Sequence, residues 1–313
     1  SATEATEKNS RSEAQQLQTV AITANRRKEL AKDVAGAVSV LGGARLDELG
    51  ATGVADMAAY VPGLVVSGTR TGAQQIAIRG ITTGIDQTNS TVGMYIDESP
   101  VSFNSSYSGG STLTVDPDPL DIERVEVLKG PQGSLYGASA LGGLVKYVMV
   151  SPDLTSFNGR AEIGINKVSG GGAGNAVRAA INVPLVTNLL AVRASAYRRE
   201  EAGYLDNVAS GKTDINKLNV SGGTISVLLK PSAAFNARLT ADTQTITGQD
   251  NSTPQADVLT LKPAYGSLLN VGWQLPINPS RSEQNRANLA LNYDAGFATL
   301  LSSTSYFRGK SDT

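Results

Sequence analysis

Neither cysteine nor histidine occurs in the 313 residues of this chain. Without them no Cys/His zinc site, no Ser-His-Asp triad and no cysteine nucleophile can be assembled, which closes the commonest routes to hydrolytic and metal-assisted catalysis. The chain is not expected to be an enzyme, and no metal or cofactor is expected in it. The lack of cysteine also rules out a disulfide framework, which fits a cytosolic protein and a bacterial envelope protein equally. Charge of one sign is missing too: 27 Lys and Arg stand against 28 Asp and Glu, a net charge of -1. There is neither a basic field for nucleic acid nor a polyanionic tail, so no nucleic-acid partner is expected. Nor does any run approach the roughly 18 uninterrupted apolar residues of a transmembrane helix. The nearest candidates are broken by Lys146, Asn188 or Arg193. If the chain enters a membrane, it does so as strands.

What is present is most specific at residues 120–148, LDIERVEVLKGPQGSLYGASALGGLVKYV. Ile122, Arg124, Glu126 and Leu128 alternate with Glu123, Val125, Val127 and Lys129, the two-residue period of a strand. Gly130, Pro131, Gly133 and Gly137 then punctuate a tight connection, and Gly142 and Gly143 lead into a second strand at 144–148. This block resembles the end of the plug domain of TonB-dependent outer-membrane receptors, where an acidic-basic strand runs into a GPQG-like turn, a YG and a small-residue GG before the barrel begins. The resemblance implies a mixed α+β plug domain followed by antiparallel transmembrane β-barrel strands.

Residues 1–16 are polar, with almost no large apolar side chain, and are expected to be a flexible periplasmic tail. They lack the basic and apolar regions of a secretory signal, so the expectation is a mature sequence from which the targeting segment has been removed. Residues 17–27, LQTVAITANRR, follow as an extended segment with Val20, Ile22 and Ala24 on one face and Thr19, Ala21 and Thr23 on the other. An ordinary edge strand is one reading. The segment also resembles the TonB box, and its position before a plug-like domain implies docking of TonB through Thr19, Val20, Ala21, Ile22, Thr23 and Ala24. Such docking adds a strand to a partner's edge through main-chain hydrogen bonds.

The plug is expected over residues 28–150. Leu46 and Leu49, then Val54, Met57 and Ala58, recur at helical spacing, with Gly53 between two short helices and Pro62-Gly63 closing the second. Strands are expected at 64–67, 75–81 and 92–97. LDELGATGVADMAAYVPGL, IAIRGI and VGMYIDESPV resemble further plug motifs in type and order. Three loop tips, 68–74, 82–91 and 103–111, would then face outward. Arg70, Gln74, Gln87, Asn89 and Asn104 offer polar groups, and Phe103 and Tyr107 offer flat apolar faces, the mixture a small-solute pocket uses. The plain alternative is solvated loops.

In siderophore receptors of this family, basic residues at the RG strand and before the GP turn hold the plug against acids on the barrel wall. Arg79 and Lys129 match those positions, although Lys129 stands where Arg is usual, which weakens bidentate pairing. DPDPLDIE at 116–123 gathers four acids, yet it lacks the Gly and downstream Glu of a calcium loop. GPQGSLYG lacks the GK[ST] ending of a phosphate loop.

From residue 151 to 313 two-residue alternation is sustained. Ala161, Ile163 and Ile165 alternate with Arg160, Glu162 and Asn166; Val177, Ala179, Ile181 and Val183 alternate with Arg178 and Asn182. Further runs of the same kind lie at 190–197, 235–242 and 288–294. A soluble sandwich alternates in the same way as an outer-membrane barrel, so alternation leaves both open. Connections do differ: 183–188 and 229–234 are tight, whereas 200–218 and 248–282 are long, the asymmetry of periplasmic turns and external loops. About seven strands are expected here, against roughly 22 in plugged transporters. The expected chain is thus a plug with the first strands of an incomplete barrel.

The resemblance implies energised uptake of a scarce solute across the bacterial outer membrane, with TonB and its inner-membrane energising complex, a small-molecule substrate and outer-membrane lipid as partners. Ferric siderophores are the commonest cargo of the family; cobalamin, oligosaccharides and aromatic compounds are alternatives, as is a receptor that binds or signals without transport.

Overall fold

The computed structural model describes residues 21–23, 29–30, 36–70, 73–82, 90–101, 103–104, 112–113, 115, 117–249, 255–257, 259–272 and 279–312. In chain order come β1 (Ala21–Ile22), β2 (Glu29–Leu30), β3 (Ala37–Gly42), helices α1 (Gly43–Glu48) and α2 (Val54–Ala58), β4 (Leu64–Arg70), β5 (Ala73–Ile78), β6 (Val92–Ile96), β7 (Ser99–Pro100), β8 (Phe103–Asn104) and β9 (Thr112–Leu113). A 3-10 turn (Pro119–Asp121) precedes β10 (Ile122–Lys129), α3 (Gly133–Tyr136) and β11 (Gly143–Met149). Long strands then dominate: β12 (Asn158–Lys167), β13 (Ala173–Val186), β14 (Leu190–Glu201), β16 (Leu218–Leu229), β17 (Phe235–Gly248), β19 (Ser280–Asp294) and β20 (Thr299–Asp312), with the short β15 (Asp206–Asn207) and β18 (Asn270–Val271) between them.

Two compact units interleave along the chain. The first is drawn from Ser1–Val66, Gln75–Ser111 and Ile122–Met149, the second from Ser67–Gln74, Thr112–Asp121 and Val150–Thr313. At the heart of the first is a five-stranded sheet in the order β3-β10-β11-β6-β7. β10 runs antiparallel to β3 and β11, and β11 runs parallel to β6. β6 and β11 are buried along almost their whole length, which explains why VGMYI and GLVKYVM are near-continuous apolar runs. The helices add Leu46, Val54 and Met57 to the buried set. The two helices lie where the spacing of apolar residues places them. In contrast, the glycine-rich connection expected to be a bare turn holds one helical turn, α3, closed by Gly137 at φ +73°. Gly143 is required by space as well as by its φ of +142°: a Cβ there would sit 2.1 Å from the Leu128 carbonyl oxygen.

The second unit is a seven-stranded antiparallel meander in the order β12-β13-β14-β16-β17-β19-β20. Its register sorts the side chains into two faces. Val183, Val192, Val227, Leu239 and Leu289 form one row, and Ile181, Ala194, Ile225, Ala241, Ala287 and Tyr306 the next on the same face. The other face carries Asn182, Arg193, Ser226, Thr240 and Asn288, and then Ser195, Thr224, Asp242 and Arg286. Burial decides between the two architectures that alternation left open. The apolar face is the exposed one, with Ile163 81% and Tyr306 65% accessible, whereas Gln244 and Arg286 on the polar face are each 3% accessible. A water-soluble sandwich has the opposite arrangement, and a lipid-facing barrel wall has this one.

The tight turns carry Asn188 at φ +62° and Gly296 at φ +82°. At the other ends of the strands, the described residues of the long connections hold structure of their own. β15 and β18 pair in parallel, and Leu205, Ile215 and Val271 form a small buried core there, with Tyr204 packed against it.

Candidate functional site

The first unit buries a charged cluster beneath its N-terminal segment. Glu126, in the middle of β10, lies directly opposite Lys146 of β11, and both are almost inaccessible, at 0% and 1%. Arg124 donates from Nε to Glu126 at 2.8 Å and also pairs with Glu123. Lys146 pairs with Glu98. Buried charges are retained only when paired and hydrogen-bonded, and each of these has an opposite charge in contact.

Thr23 closes the cluster. Its backbone N–H donates to the two Glu126 carboxylate oxygens at 3.0 and 3.1 Å, and its hydroxyl lies 3.3 Å from each. Its carbonyl accepts from the Tyr136 hydroxyl at 3.3 Å and from Lys146 Nζ at 3.4 Å. Ile22, next to it, is fully buried among Tyr95, Leu128, Tyr136, Ala140 and Leu144. Tyr136 is itself fixed: Tyr95 donates to its carbonyl at 2.6 Å, and the two rings meet edge-on with centroids 5.0 Å apart. Both main-chain groups of Thr23 are thereby taken up by side chains, and the neighbouring apolar side chain fills a pocket. The arrangement holds an extended segment by groups that also serve strand pairing.

Of the six residues expected to dock a partner strand, Ala21 and Ile22 form β1, paired antiparallel with β2, and Thr23 follows them. Thr19, Val20 and Ala24 lie outside the described residues. Among the expected tip residues, Gln87, Asn89 and Tyr107 lie outside the described residues, Arg70 ends β4, and Phe103 and Asn104 form β8. Gln74 is buried rather than displayed, opposite Thr112, and its side-chain oxygen has no hydrogen-bond partner among the described residues. Arg79 sits at φ +54°, its N–H donating to the Gly63 carbonyl at 2.8 Å. Arg79 and Lys129 are near neighbours: burial first, and then the Arg79 charge, hold the Lys129 ammonium below its ordinary pKa. Neither has an ion-pair partner among the described residues.

Glu126, Lys146, Tyr136 and Glu98 were not singled out from sequence. The available signal was Lys146, a lone charge inside the apolar run LVKYV, facing an acid in the partner strand.

A sheet-centred unit followed by an antiparallel meander with its apolar face outward is the architecture of a plug domain followed by β-barrel strands. Residues 31–144 match the TonB-dependent Receptor Plug Domain. The pesticin receptor of Yersinia enterocolitica is 29% identical over 196 residues, 62% of this chain and 27% of the relative. The vitamin B12 transporter BtuB of Vibrio vulnificus is 31% identical over 135 residues, 42% of this chain and 21% of the relative. Among solved structures, the ferric yersiniabactin uptake receptor FyuA from Yersinia pestis superposes with a TM-score of 0.73 at 20% identity, covering 93% of this chain and 43% of that one. The ferripyoverdine receptor of Pseudomonas aeruginosa gives 0.63 at 16% identity, covering 93% and 45%. Residues 31–144 thus carry the plug domain of TonB-dependent receptors, and the chain spans less than a third of the pesticin receptor's length.

Proposed function

We propose that the chain is the plug and the opening barrel strands of a receptor that takes up a scarce solute, an iron chelate by preference, with energy delivered by TonB and its inner-membrane complex. The observation that carries the reading is the seating of Ile22 and Thr23 on Glu126, Lys146 and Tyr136. A segment that must pair with a partner strand needs its main-chain groups free, and here those of Thr23 are engaged. Docking then requires release, so the cluster sets how readily residues 19–24 become available. Ligand bound at Arg70, Gln87, Asn89, Phe103, Asn104 and Tyr107 would favour release only by preferring the released state. Arg79 and Lys129 fit the role of cations awaiting acids on the barrel wall.

Iron-chelate cargo is favoured by the names of the relatives, which include a ferripyoverdine receptor and hemin receptors. Vitamin B12 is the second reading, because a B12 transporter is among the more identical relatives. The test is deletion of residues 17–24 in the full-length receptor, with binding and uptake of ferric siderophores, hemin and cobalamin measured in cells. Retained binding with lost uptake is the expected result. Uptake unchanged by the deletion would contradict energised transport, and binding with no uptake by the intact receptor would favour a receptor that does not transport.

A further inference from the structure

The acidic, proline-containing run before β10 has no part in the site above, and its side chains are held with unusual completeness. Residues 117–121 group with the second unit, not with the sheet into which they lead. Asp118 accepts from the Leu120 N–H at 3.0 Å and lies 3.5 Å from Arg178 Nη1 on β13. Asp121 accepts from Arg193 Nη2 at 3.3 Å and from the Ser195 hydroxyl, both on β14, and the same Arg193 nitrogen donates to the Leu120 carbonyl at 3.0 Å. The Val150 N–H donates to the Asp121 carbonyl at 2.8 Å, tying the end of the run to the point where the chain re-enters the second unit. Asp118 and Asp121 are 6% and 4% accessible. Burial pushes both carboxyls above their ordinary range, while the arginines and Ser195 pull the other way. Pro117 and Pro119 fix φ and stiffen the run.

The order of these contacts along the chain has a mechanical consequence. A load applied at the N-terminal segment and transmitted along the backbone meets residue 117 before it meets residue 122. Residues 122–149 form a closed loop whose base is the Asp121–Val150 hydrogen bond and the Asp121 contacts with β14. We infer that residues 117–121 are a strap, which stays fastened to β13 and β14 while a pull on the N-terminal segment displaces the chain that precedes it. Glu126, Tyr136 and Lys146 lie within the loop that the strap retains, so the groups that bind the Thr23 main chain stay behind, while Tyr95 and Glu98 leave with the chain before the strap and complete the seat again when it returns. The source of the pull rests on the uptake reading; the strength of the strap does not.

Single-molecule extension of the full-length receptor in a lipid bilayer, pulled from its N-terminus, tests this without TonB or ligand. The roughly 100 residues between Thr23 and the strap correspond to about 350 Å of extended chain, and a distinct rupture is expected at that extension. Asp121→Asn replaces charge-assisted bonds with neutral ones and should lower the rupture force roughly twofold. Ser195→Ala, which leaves the ion pair in place, should lower it less and serves if Asp121→Asn fails to assemble. The pair Asp121→Cys and Ser195→Cys, oxidised, should stop extension at the strap until reductant is added. Extension that runs past this length without a pause, or a pause indifferent to both single substitutions, overturns the strap. A normal rupture in a receptor that shows no energised uptake would contradict the uptake reading alone.

Discussion

The two units use the same two-residue alternation and bury opposite halves of it. In the plug sheet β6 and β11 put apolar side chains inside, and the few charges that go in with them, Glu98, Glu126 and Lys146, are met by opposite charge. In the meander the apolar rows face outward and the polar rows are buried, Asp242 against Arg286 and Ser226 against Thr240. The difference follows from the surroundings each face meets. Against lipid, exposing Leu239 and Ile225 carries no penalty, whereas a charge there does. The plug sheet keeps charges inside only where they hold something, and what Glu126 holds is Thr23.

Substitutions can break or sharpen this contrast, and their expected effects fall in a definite order. Glu126→Ala should be the most damaging, costing about 3–5 kcal/mol by leaving Lys146 and Arg124 short of a buried partner; denaturant titration of the full receptor would measure it. Leu239→Arg places a charge on the lipid-facing side and should cost about 2–4 kcal/mol when refolding into vesicles is measured. Thr224→Arg, on the polar face beside Asp242, should cost less, and equal costs would argue against the assignment of faces. Tyr136→Phe removes one hydrogen bond to the Thr23 carbonyl, worth about 1 kcal/mol, and should speed proteolysis of the N-terminal segment without loosening the meander. Arg45→Ala breaks a pair whose two side chains are 58% and 66% exposed. It should change stability by less than about 0.5 kcal/mol.

The period of the sequence made much of the architecture legible. Helices α1 and α2 follow from the spacing of Leu46, Val54 and Met57, and β12, β13, β14, β17 and β19 from sustained alternation, whereas β16 and β20 carry no comparably regular run. Which face of those strands is buried was not legible, because alternation is symmetric and only the surroundings break the symmetry. The single helical turn α3 was missed because four residues among glycines carry no periodic signal. So was the β15–β18 pair, whose two-residue strands are brought together by contacts distant in sequence. The segment expected to dock TonB reads in the sequence as a short extended run before a plug, but the seat of Ile22 and Thr23 does not. Glu126 reaches Thr23 across 103 positions, and nothing local to either residue announces the other. Gln74 read as a polar tip residue because its local sequence is polar, while its burial is set by chain from elsewhere.

The central claim is that Thr23 is parked on Glu126, and amide hydrogen exchange at Thr23 in the full-length receptor in outer membranes tests it most directly. Slow exchange in the native receptor that becomes fast in Glu126→Ala, with the amides of β17 and β19 unchanged, is the predicted result. Equally fast exchange at Thr23 in both proteins would contradict it.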